Sequence, residues 1–269
     1  MSIIKNDFEK TNITKIKKYK NNKKLTVITA YDALFAKLFE EIADMILVGD
    51  SLNMSFAGRP DTLSATLEQM IYHTKAVCTG ASKAFVILDM PFGTYINKDI
   101  ALTNAVKVYA QTNAAAIKIE GGEDKADIIK HLTSNSIAVM GHIGLMPQYV
   151  RSEGGYKVRG KTHQDEKHLI EDAIAVEKAG AFAIVVEGVM SNVAIKITEA
   201  VNIPIIGIGA GNVTDGQVLV WSDMLGFFEE FKPKFVRHYL NGAELVKEAV
   251  NQYRNDVQDS SFPSKEEEY

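Results

Sequence analysis

Short apolar segments recur along the chain, and each is followed by a longer segment whose apolar residues return every three or four positions. A short apolar run bounded by polar or glycine residues is typical of a strand buried on both faces. The pattern predicts strands at Leu25–Tyr31, Met45–Asp50, Ala84–Met90, Ala114–Glu120, Ile137–Gly141, Ala183–Glu187 and Ile203–Ile208, with a weaker eighth at Gln217–Trp221.

The segments between the strands have the spacing of amphipathic helices. Thr66 and Gln69 are spaced as an N-terminal capping box, and Gly80 and Gly180 stand where C-terminal caps are expected. Helices are predicted at Asp32–Ala43, Thr66–Gly80, Lys98–Gln111, Asp124–Thr133, Gln164–Gly180 and Ser191–Ala200.

Strand and helix alternating about eight times over roughly 250 residues is the arrangement of a (β/α)₈ TIM barrel, an α/β fold. The alternative is a doubly wound open sheet, which usually carries a glycine-rich turn after its first strand. Here the first strand continues into Thr29-Ala-Tyr-Asp, which has no such turn. We expect one barrel domain over residues 1–269, with a lysine-rich N-terminal extension (about 1–24) and a polar C-terminal tail (about 255–269).

Composition narrows the class of protein. Of the 269 residues, 46% are hydrophobic, enough for a large core. The net charge of −4 offers no basic surface for nucleic acid or membrane, and the early lysines fit a solvated helix face. The single cysteine, Cys78, excludes an internal disulfide. It suits a reducing cytosol, and without a signal peptide or membrane span we expect a soluble, cytoplasmic protein.

Two charges interrupt one of the most apolar runs. Lys118 and Glu120 are two residues apart, so on a strand they point to the same side. Charges removed from water cost several kcal/mol each unless they are paired or bound to a metal. The pair is therefore either a salt bridge at the rim of a strand end or part of a reaction site.

Polar residues stand at the end of most predicted strands, and in a barrel these ends meet at the active-site face. The residues are Asp50, Ser51, Asp89, Lys118, Glu120, His142 and Glu187. Each alone has a structural explanation, such as a helix cap, but five strand ends agree. The carboxylates suit Mg²⁺, and no cysteine set or H-E-x-x-H helix indicates zinc. A metal for the oxyanion, a lysine for a substrate oxygen and a glutamate for the proton are the equipment for stabilising an enolate.

Two glycine-rich stretches are candidates for binding loops. Residues 155–162 fit the phosphate-loop pattern, which needs a buried strand directly before it, whereas residues 147–154 are polar. We expect a mobile loop over the barrel's open end and no ATP binding. Residues 207–211 lack the third glycine of the dinucleotide fingerprint, so they predict a tight turn.

The combination of motifs resembles the ketopantoate hydroxymethyltransferase family, in order from about Thr14 to about Tyr239. The matching segments are Thr29-Ala-Tyr-Asp, Val48-Gly-Asp-Ser, Tyr72-His-Thr-Lys-Ala-Val, Asp89-Met-Pro-Phe, Lys118-Ile-Glu-Gly-Gly, Gly141-His-Ile-Gly-Leu, Gly154-Gly-Tyr-Lys-Val-Arg-Gly and Ile206-Gly-Ile-Gly-Ala-Gly-Asn. Gly188, where many relatives carry cysteine, and Met146, where threonine is common, depart from the family pattern.

The resemblance implies a barrel of the phosphoenolpyruvate-binding type, usually a homodecamer. It also implies transfer of a hydroxymethyl group from 5,10-methylenetetrahydrofolate to 3-methyl-2-oxobutanoate, giving 2-dehydropantoate for pantothenate biosynthesis. By the same resemblance, Asp50 and Asp89 bind Mg²⁺, with Glu120 beside the ion. The 2-oxo acid is bound by Asp50, Ser51, Asp89 and Lys118. Glu187 accepts the proton, and His142 matches an active-site histidine.

Two other functions stay open at this point. One is a Mg²⁺-dependent carbon–carbon lyase of the isocitrate lyase/phosphoenolpyruvate mutase type, which folate-dependent turnover would separate from the transferase. The other is a non-catalytic barrel that binds a 2-oxo acid without exchanging its C3 proton. The residues that dock the folate are not identifiable from the sequence.

Overall fold

A computed structural model describes residues 11–229 and 232–269, which separate into two compact units, Met1–Leu219 and Val220–Tyr269. The strands of the first unit are β1 Leu25–Thr29, β2 Met45–Val48, β3 Val86–Asp89, β4 Ala116–Glu120, β5 Val139–Gly144, β6 Ala183–Glu187, β7 Ile205–Ile208 and β8 Gly216–Leu219. Its helices are α1 Ile13–Lys18, α2 Ala33–Phe39, α3 Leu52–Ser55, α4 Leu67–Gly80, α5 Lys98–Gln111, α6 Glu123–Ser134, α7 His163–Lys178 and α8 Ser191–Ala200, and a 3₁₀ turn spans Pro147–Tyr149.

The eight strands form a closed, all-parallel barrel in chain order, and β8 pairs with β1. Closure leaves no unpaired strand edge, and the helices between successive strands cover the outside. The strands are short and almost wholly buried, as their continuous apolar runs require. The predicted (β/α)₈ fold is confirmed.

Of the eight strands, only β6 keeps its predicted bounds; β1–β4 and β7 are two or three residues shorter than predicted, and β5 and β8 are displaced. The prediction ended β5 at Gly141, but the strand continues to Gly144 because Ile143 and Gly144 pair with Val186 and Glu187 of β6. The eighth strand begins one residue earlier and ends two residues earlier than predicted. In both cases the neighbouring strand, and not the local apolar pattern, determines where the pairing ends.

Two of the predicted helix caps are confirmed and one is wrong. Thr66 and Gln69 form the capping box, with hydrogen bonds of 2.8 and 3.2 Å. Gly180 adopts a left-handed φ of +96° after α7. The cap prediction for Gly80 is wrong, because Gly80 is the last residue inside α4. A Cβ there would lie 2.0 Å from the Ala33 carbonyl oxygen, so this glycine allows α2 and α4 to approach closely.

The amino-terminal end of the barrel is closed by α1. Ile16 is fully buried in one cluster with inward-facing strand residues such as Leu25 and Phe85. Lys17 and Lys18 are exposed, as expected for a solvated face. Lys20 differs, because its ammonium is 2.9 Å from Asp215 Oδ2.

The second unit contains α9 Trp221–Met224 and α10 Gly242–Gln258. The rings of Trp221 and Phe227 meet edge to face, with centroids 5.4 Å apart. Residues 259–269 are exposed, and the predicted polar tail begins inside α10. Within the residues described, none of the helices combines the length and the apolar character that crossing a membrane would require.

Candidate active site

Parallel pairing brings the polar strand ends together at the carboxyl-terminal end of the barrel. Asp89 on β3 lies beside Lys118 on β4, and Glu120 lies beside His142 on β5. Glu187 ends β6 and pairs with Gly144. Residues distant in the sequence therefore become neighbours because each stands at or near the carboxyl-terminal end of its strand.

The ammonium of Lys118 lies among three of these groups. Its Nζ is 2.7 Å from Asp89 Oδ1, 3.1 Å from His142 Nδ1 and 3.9 Å from Glu120 Oε1. Lys118 is 3% exposed and Glu120 1%, so a salt bridge at the rim of the strand end is excluded. Burial opposes the charge of Lys118, but the nearby carboxylates outweigh it and raise the lysine pKa.

His142 connects Lys118 to Glu187. Burial, and then the Lys118 charge, lower the pKa of His142, so the imidazole is neutral at physiological pH. Since the ammonium can only donate, we assign Nδ1 as the acceptor and place the proton on Nε2. That nitrogen lies 3.3 Å from Glu187 Oε2, and the Glu187 side chain is 19% exposed.

Asp50 completes the group, directly after β2. Its N–H donates to Asp89 Oδ2 at 3.4 Å, so the two aspartates share one site. Burial, and then repulsion by Asp89, raise the pKa of Asp50 to about 8. The hydroxyl of Ser51 lies 2.9 Å from the Tyr31 hydroxyl. All seven predicted site residues thus lie at the carboxyl-terminal end of the barrel.

Gln148 and Tyr95 also belong to this site, although the sequence analysis did not single them out. Gln148 donates to Asp50 Oδ2 at 2.8 Å, and the Tyr95 hydroxyl donates to Gln148 Oε1 at 2.5 Å. The available signal was a polar side chain after Pro147, just beyond a strand end. That signal is weak because turns commonly contain glutamine.

The donor set fits a divalent cation. Asp50, Asp89 and Glu120 are buried around a single ammonium, so the site has more acidic groups than one lysine can neutralise, and a bound cation would favour their ionised forms. Burial raises the pKa of Glu120 well above its ordinary value, with Lys118 opposing and the two aspartates adding to the effect. Glu120 Oε1 accepts no hydrogen bond. Over residues 11–229 and 232–269, no group of three or more histidine, cysteine, aspartate or glutamate side chains is placed to hold a metal ion. An ion bound by two carboxylates would need water and substrate oxygens as further ligands, which Mg²⁺ commonly keeps.

Neither glycine-rich stretch has the surroundings of its nucleotide-binding motif. The 3₁₀ turn and irregular residues, not the strand that a phosphate loop needs, precede residues 155–162. At the start of α7, Asp165 accepts the N–H of Gly160 and pairs with Arg159 at 2.9 Å. Gly209 and Gly211 have φ of +61° and +82° in the tight turn after β7.

Gly188 follows Glu187 with φ of +56°, a conformation that suits glycine. A Cβ at this position would lie 3.0 Å from Leu145 Cβ. Glycine therefore relieves backbone strain beside the carboxylate and leaves the contact between Glu187 and His142 intact.

A closed parallel barrel with buried acid, ammonium and imidazole groups at the carboxyl ends of its strands has the construction of a TIM-barrel enzyme. The family comparison is specific, since the model for ketopantoate hydroxymethyltransferase matches residues 10–265. The chain belongs to the ketopantoate hydroxymethyltransferase family and is a transferase, which confirms the resemblance found in the sequence.

Relatives named 3-methyl-2-oxobutanoate hydroxymethyltransferase match the whole chain. The protein from Aliarcobacter butzleri is 88% identical over 269 residues, covering 100% of both chains. One from Helicobacter pylori (strain P12) is 54% identical with the same coverage. Among solved structures, phosphonopyruvate hydrolase has a TM-score of 0.62 at 15% identity, covering 96% of this chain and 93% of its own. The structure of 2,3-dimethylmalate lyase has a TM-score of 0.58 at 14% identity, covering 97% of this chain and 92% of its own. These two likenesses show the fold alone.

Proposed function

We propose that the chain transfers a hydroxymethyl group from 5,10-methylenetetrahydrofolate to 3-methyl-2-oxobutanoate, giving 2-dehydropantoate for pantothenate biosynthesis. The observation that carries this proposal is the contact series from Asp89 through Lys118 and His142 to Glu187, with successive distances of 2.7, 3.1 and 3.3 Å. Such a series can hold an anionic substrate at one end and accept a proton at the other.

Substrate binding is assigned to the buried end of this series of contacts. Asp50 and Asp89 would hold Mg²⁺ with Glu120 beside it, and Lys118 and the Ser51 hydroxyl would bind oxygens of the 2-oxo acid. When bound, Mg²⁺ supplies Lewis-acid stabilisation of negative charge developing on the keto oxygen, worth several kcal/mol. Lys118 adds a fixed positive charge in a site closed to water, where electrostatic interactions are strong.

Proton removal falls to Glu187. Of the four carboxylates of the site, on Asp50, Asp89, Glu120 and Glu187, that of Glu187 is the most exposed. A substrate carbon can therefore approach it from the open end of the barrel. The Nε2 atom of neutral His142 lies 3.3 Å from one oxygen of this carboxylate. Glu187 takes the C3 proton of the 2-oxo acid, and the resulting enolate carbon bonds to the one-carbon unit as the first of that unit's two bonds to folate nitrogens breaks. Water then supplies the hydroxyl oxygen as the second carbon–nitrogen bond breaks, which releases tetrahydrofolate and gives the hydroxymethyl group.

Deuterium exchange at C3 of 3-methyl-2-oxobutanoate tests the proton step. Glu187→Gln should slow Mg²⁺-dependent exchange in D₂O by about 10²–10⁴-fold and leave metal binding intact, because only the proton acceptor changes. Exposed Glu199→Gln on α8 is the matched control. Exchange at the wild-type rate in Glu187→Gln would remove Glu187 from this role.

Product formation separates the reaction classes. We expect 2-dehydropantoate only when 5,10-methylenetetrahydrofolate is present. Cleavage of a 2-oxo acid without folate would instead support the lyase alternative. Binding of the 2-oxo acid with neither exchange nor turnover would contradict the proposed reaction.

We also propose a cytoplasmic homo-oligomer, a decamer by family resemblance. Leu34, Leu38 and Ile42 are spaced four residues apart along and just beyond α2, and they are 68%, 59% and 76% exposed. An apolar stripe of this kind favours burial against another copy. Light scattering after size exclusion should give about ten times the chain mass, and a monomer would contradict the proposal.

A further inference from the structure

One glutamine connects several separate strand-end segments of the site. Gln148 lies on the turn after β5 and is 4% exposed. Its backbone N–H donates to Glu120 Oε2 at 3.0 Å, and its amide nitrogen donates to Asp50 Oδ2 at 2.8 Å and Met90 O at 2.9 Å. With the Tyr95 hydroxyl bonded to its oxygen, the side chain has partners on every side.

The orientation of the amide follows from these partners. The Met90 carbonyl can only accept a hydrogen bond, so the amide nitrogen must face it. The same nitrogen therefore reaches Asp50, and the amide oxygen faces Tyr95. A flipped amide would place two oxygens against each other at both Met90 and Asp50.

We propose that Gln148 is a positioning residue for the divalent cation, an inference that rests on the proposed function. Gln148 fixes one oxygen on each of two carboxylates, Asp50 and Glu120. The other oxygen of Glu120 accepts no hydrogen bond and remains available at 3.9 Å from Lys118 Nζ. An amide suits this task because it donates to carboxylates without adding a positive charge that would repel the cation.

Gln148 also links the irregular segment after β5 to the site. Two of its partners, Asp50 and Met90, lie beyond the ends of β2 and β3, and Glu120 ends β4. The position of the turn is therefore coupled to the positions of these three strand ends. Removing the amide should loosen the Asp50 carboxylate, while the backbone bond to Glu120 survives substitution.

The test is Mn²⁺ binding, followed by electron paramagnetic resonance of the free ion, with full-length protein and no substrate. Partners that orient metal ligands are typically worth 10–100-fold in metal affinity. Gln148→Met, which keeps the length but lacks the amide, should weaken Mn²⁺ binding by about 10–100-fold. Gln148→Asn, too short to reach both acceptors, should weaken it less. Gln164→Met, an exposed position at the start of α7, should bind as wild type.

A second readout separates positioning from damage to the fold. In Gln148→Met the C3 exchange rate should be restored by raising Mg²⁺, with KM for the 2-oxo acid raised more than kcat is lowered. A misfolded site would not recover in this way. Circular dichroism shows whether Gln148→Met folds. If it does not fold, the Mn²⁺ affinity of Gln148→Asn is used to test the role of Gln148.

The outcomes distinguish this inference from the proposed function. Wild-type Mn²⁺ affinity in folded Gln148→Met, or in Gln148→Asn where that variant decides, overturns the role of Gln148. Asp89→Ala should lose Mn²⁺ binding whatever the result for Gln148. If Asp89→Ala binds Mn²⁺ as wild type does, or if wild type binds none, the metal assignment fails and the positioning role fails with it.

Discussion

The charge balance of the site depends on the ammonium group of Lys118. It lies 2.7 Å from Asp89 and 3.9 Å from Glu120, and the pKa of Asp50 is lowered by its charge and raised by burial and Asp89. Lys118 also determines the tautomer of His142, through the contact with Nδ1. One strand residue thus contacts Asp89, Glu120 and His142, which are all residues of the proposed site.

Lys118→Met should destabilise the protein in a pH-dependent way. Removing one partner of a buried ion pair costs about 3–5 kcal/mol, because the other charge is left uncompensated. Burial already raises the pKa values of Asp50 and Glu120, and loss of the opposing lysine charge raises them further, so stability is retained at low pH and lost as pH rises through the native values. Urea unfolding without Mg²⁺ should show the larger loss at pH 8 than at pH 5.5.

Lys167→Met, at an exposed position of α7, is the control for this variant and should match wild type at both pH values. A loss of unfolding free energy in Lys118→Met that is equal at pH 8 and pH 5.5 would contradict the charge account. No loss at all would contradict it as well.

Among the elements, the segment from α1 to β1 fastens the amino-terminal end of the barrel. The Lys20 ammonium pairs with Asp215 and donates to Thr198 O at 2.7 Å. Asp215 also accepts the N–H groups of Asn21 at 3.1 Å and Ile205 at 2.9 Å. A lysine that the sequence pattern assigned to a solvated face therefore belongs to a nearly buried network.

Asp215→Ala should lower the free energy of unfolding by about 3 kcal/mol, since it leaves the Lys20 ammonium without its carboxylate partner and a buried strand N–H without its acceptor. The C3 exchange rate of the folded variant should stay at the wild-type value, because the substituted residue precedes a strand and the reaction site follows the strand ends. Chemical denaturation measures the first effect, and Lys17→Ala, at an exposed position of α1, is the control. A change of less than 1 kcal/mol would show that the network contributes little.

In α9, burial raises the pKa of Asp223 to about 6. The unfolded value is close to 3.9, so the native state binds the proton more tightly. Stability from this group is present below pH 4 and is lost as pH rises to about 6. Asp223→Asn should therefore raise the melting temperature at pH 7.5 and not at pH 4. An equal shift at both pH values would contradict burial as the cause.

For the whole molecule, the barrel and most of its reaction site were predictable from local patterns. Each strand is a separate apolar run, and parallel strands end on one face, so residues such as Asp89 and Glu187 could be placed without knowing their contacts. The family resemblance supplied their separate roles. The metal-binding, substrate-binding and catalytic assignments stay predictions.

What the sequence did not reveal depends on contacts that have no local period. Gln148 and Asp50 are 98 residues apart, and Lys20 and Asp215 are 195 residues apart. The extension of β5 to Gly144 depends on pairing with β6. Closing the barrel creates these contacts, so a pattern of nearby residues carries no sign of them.

The central claim is that Asp50, Asp89 and Glu120 converge on one divalent ion beside Lys118, His142 and Glu187. The most direct measurement is an anomalous difference map from crystals of the protein grown with Mn²⁺. The account predicts one strong peak within coordination distance of Asp50 and Asp89, next to Glu120. A peak elsewhere in the barrel, or none at saturating Mn²⁺, would contradict it.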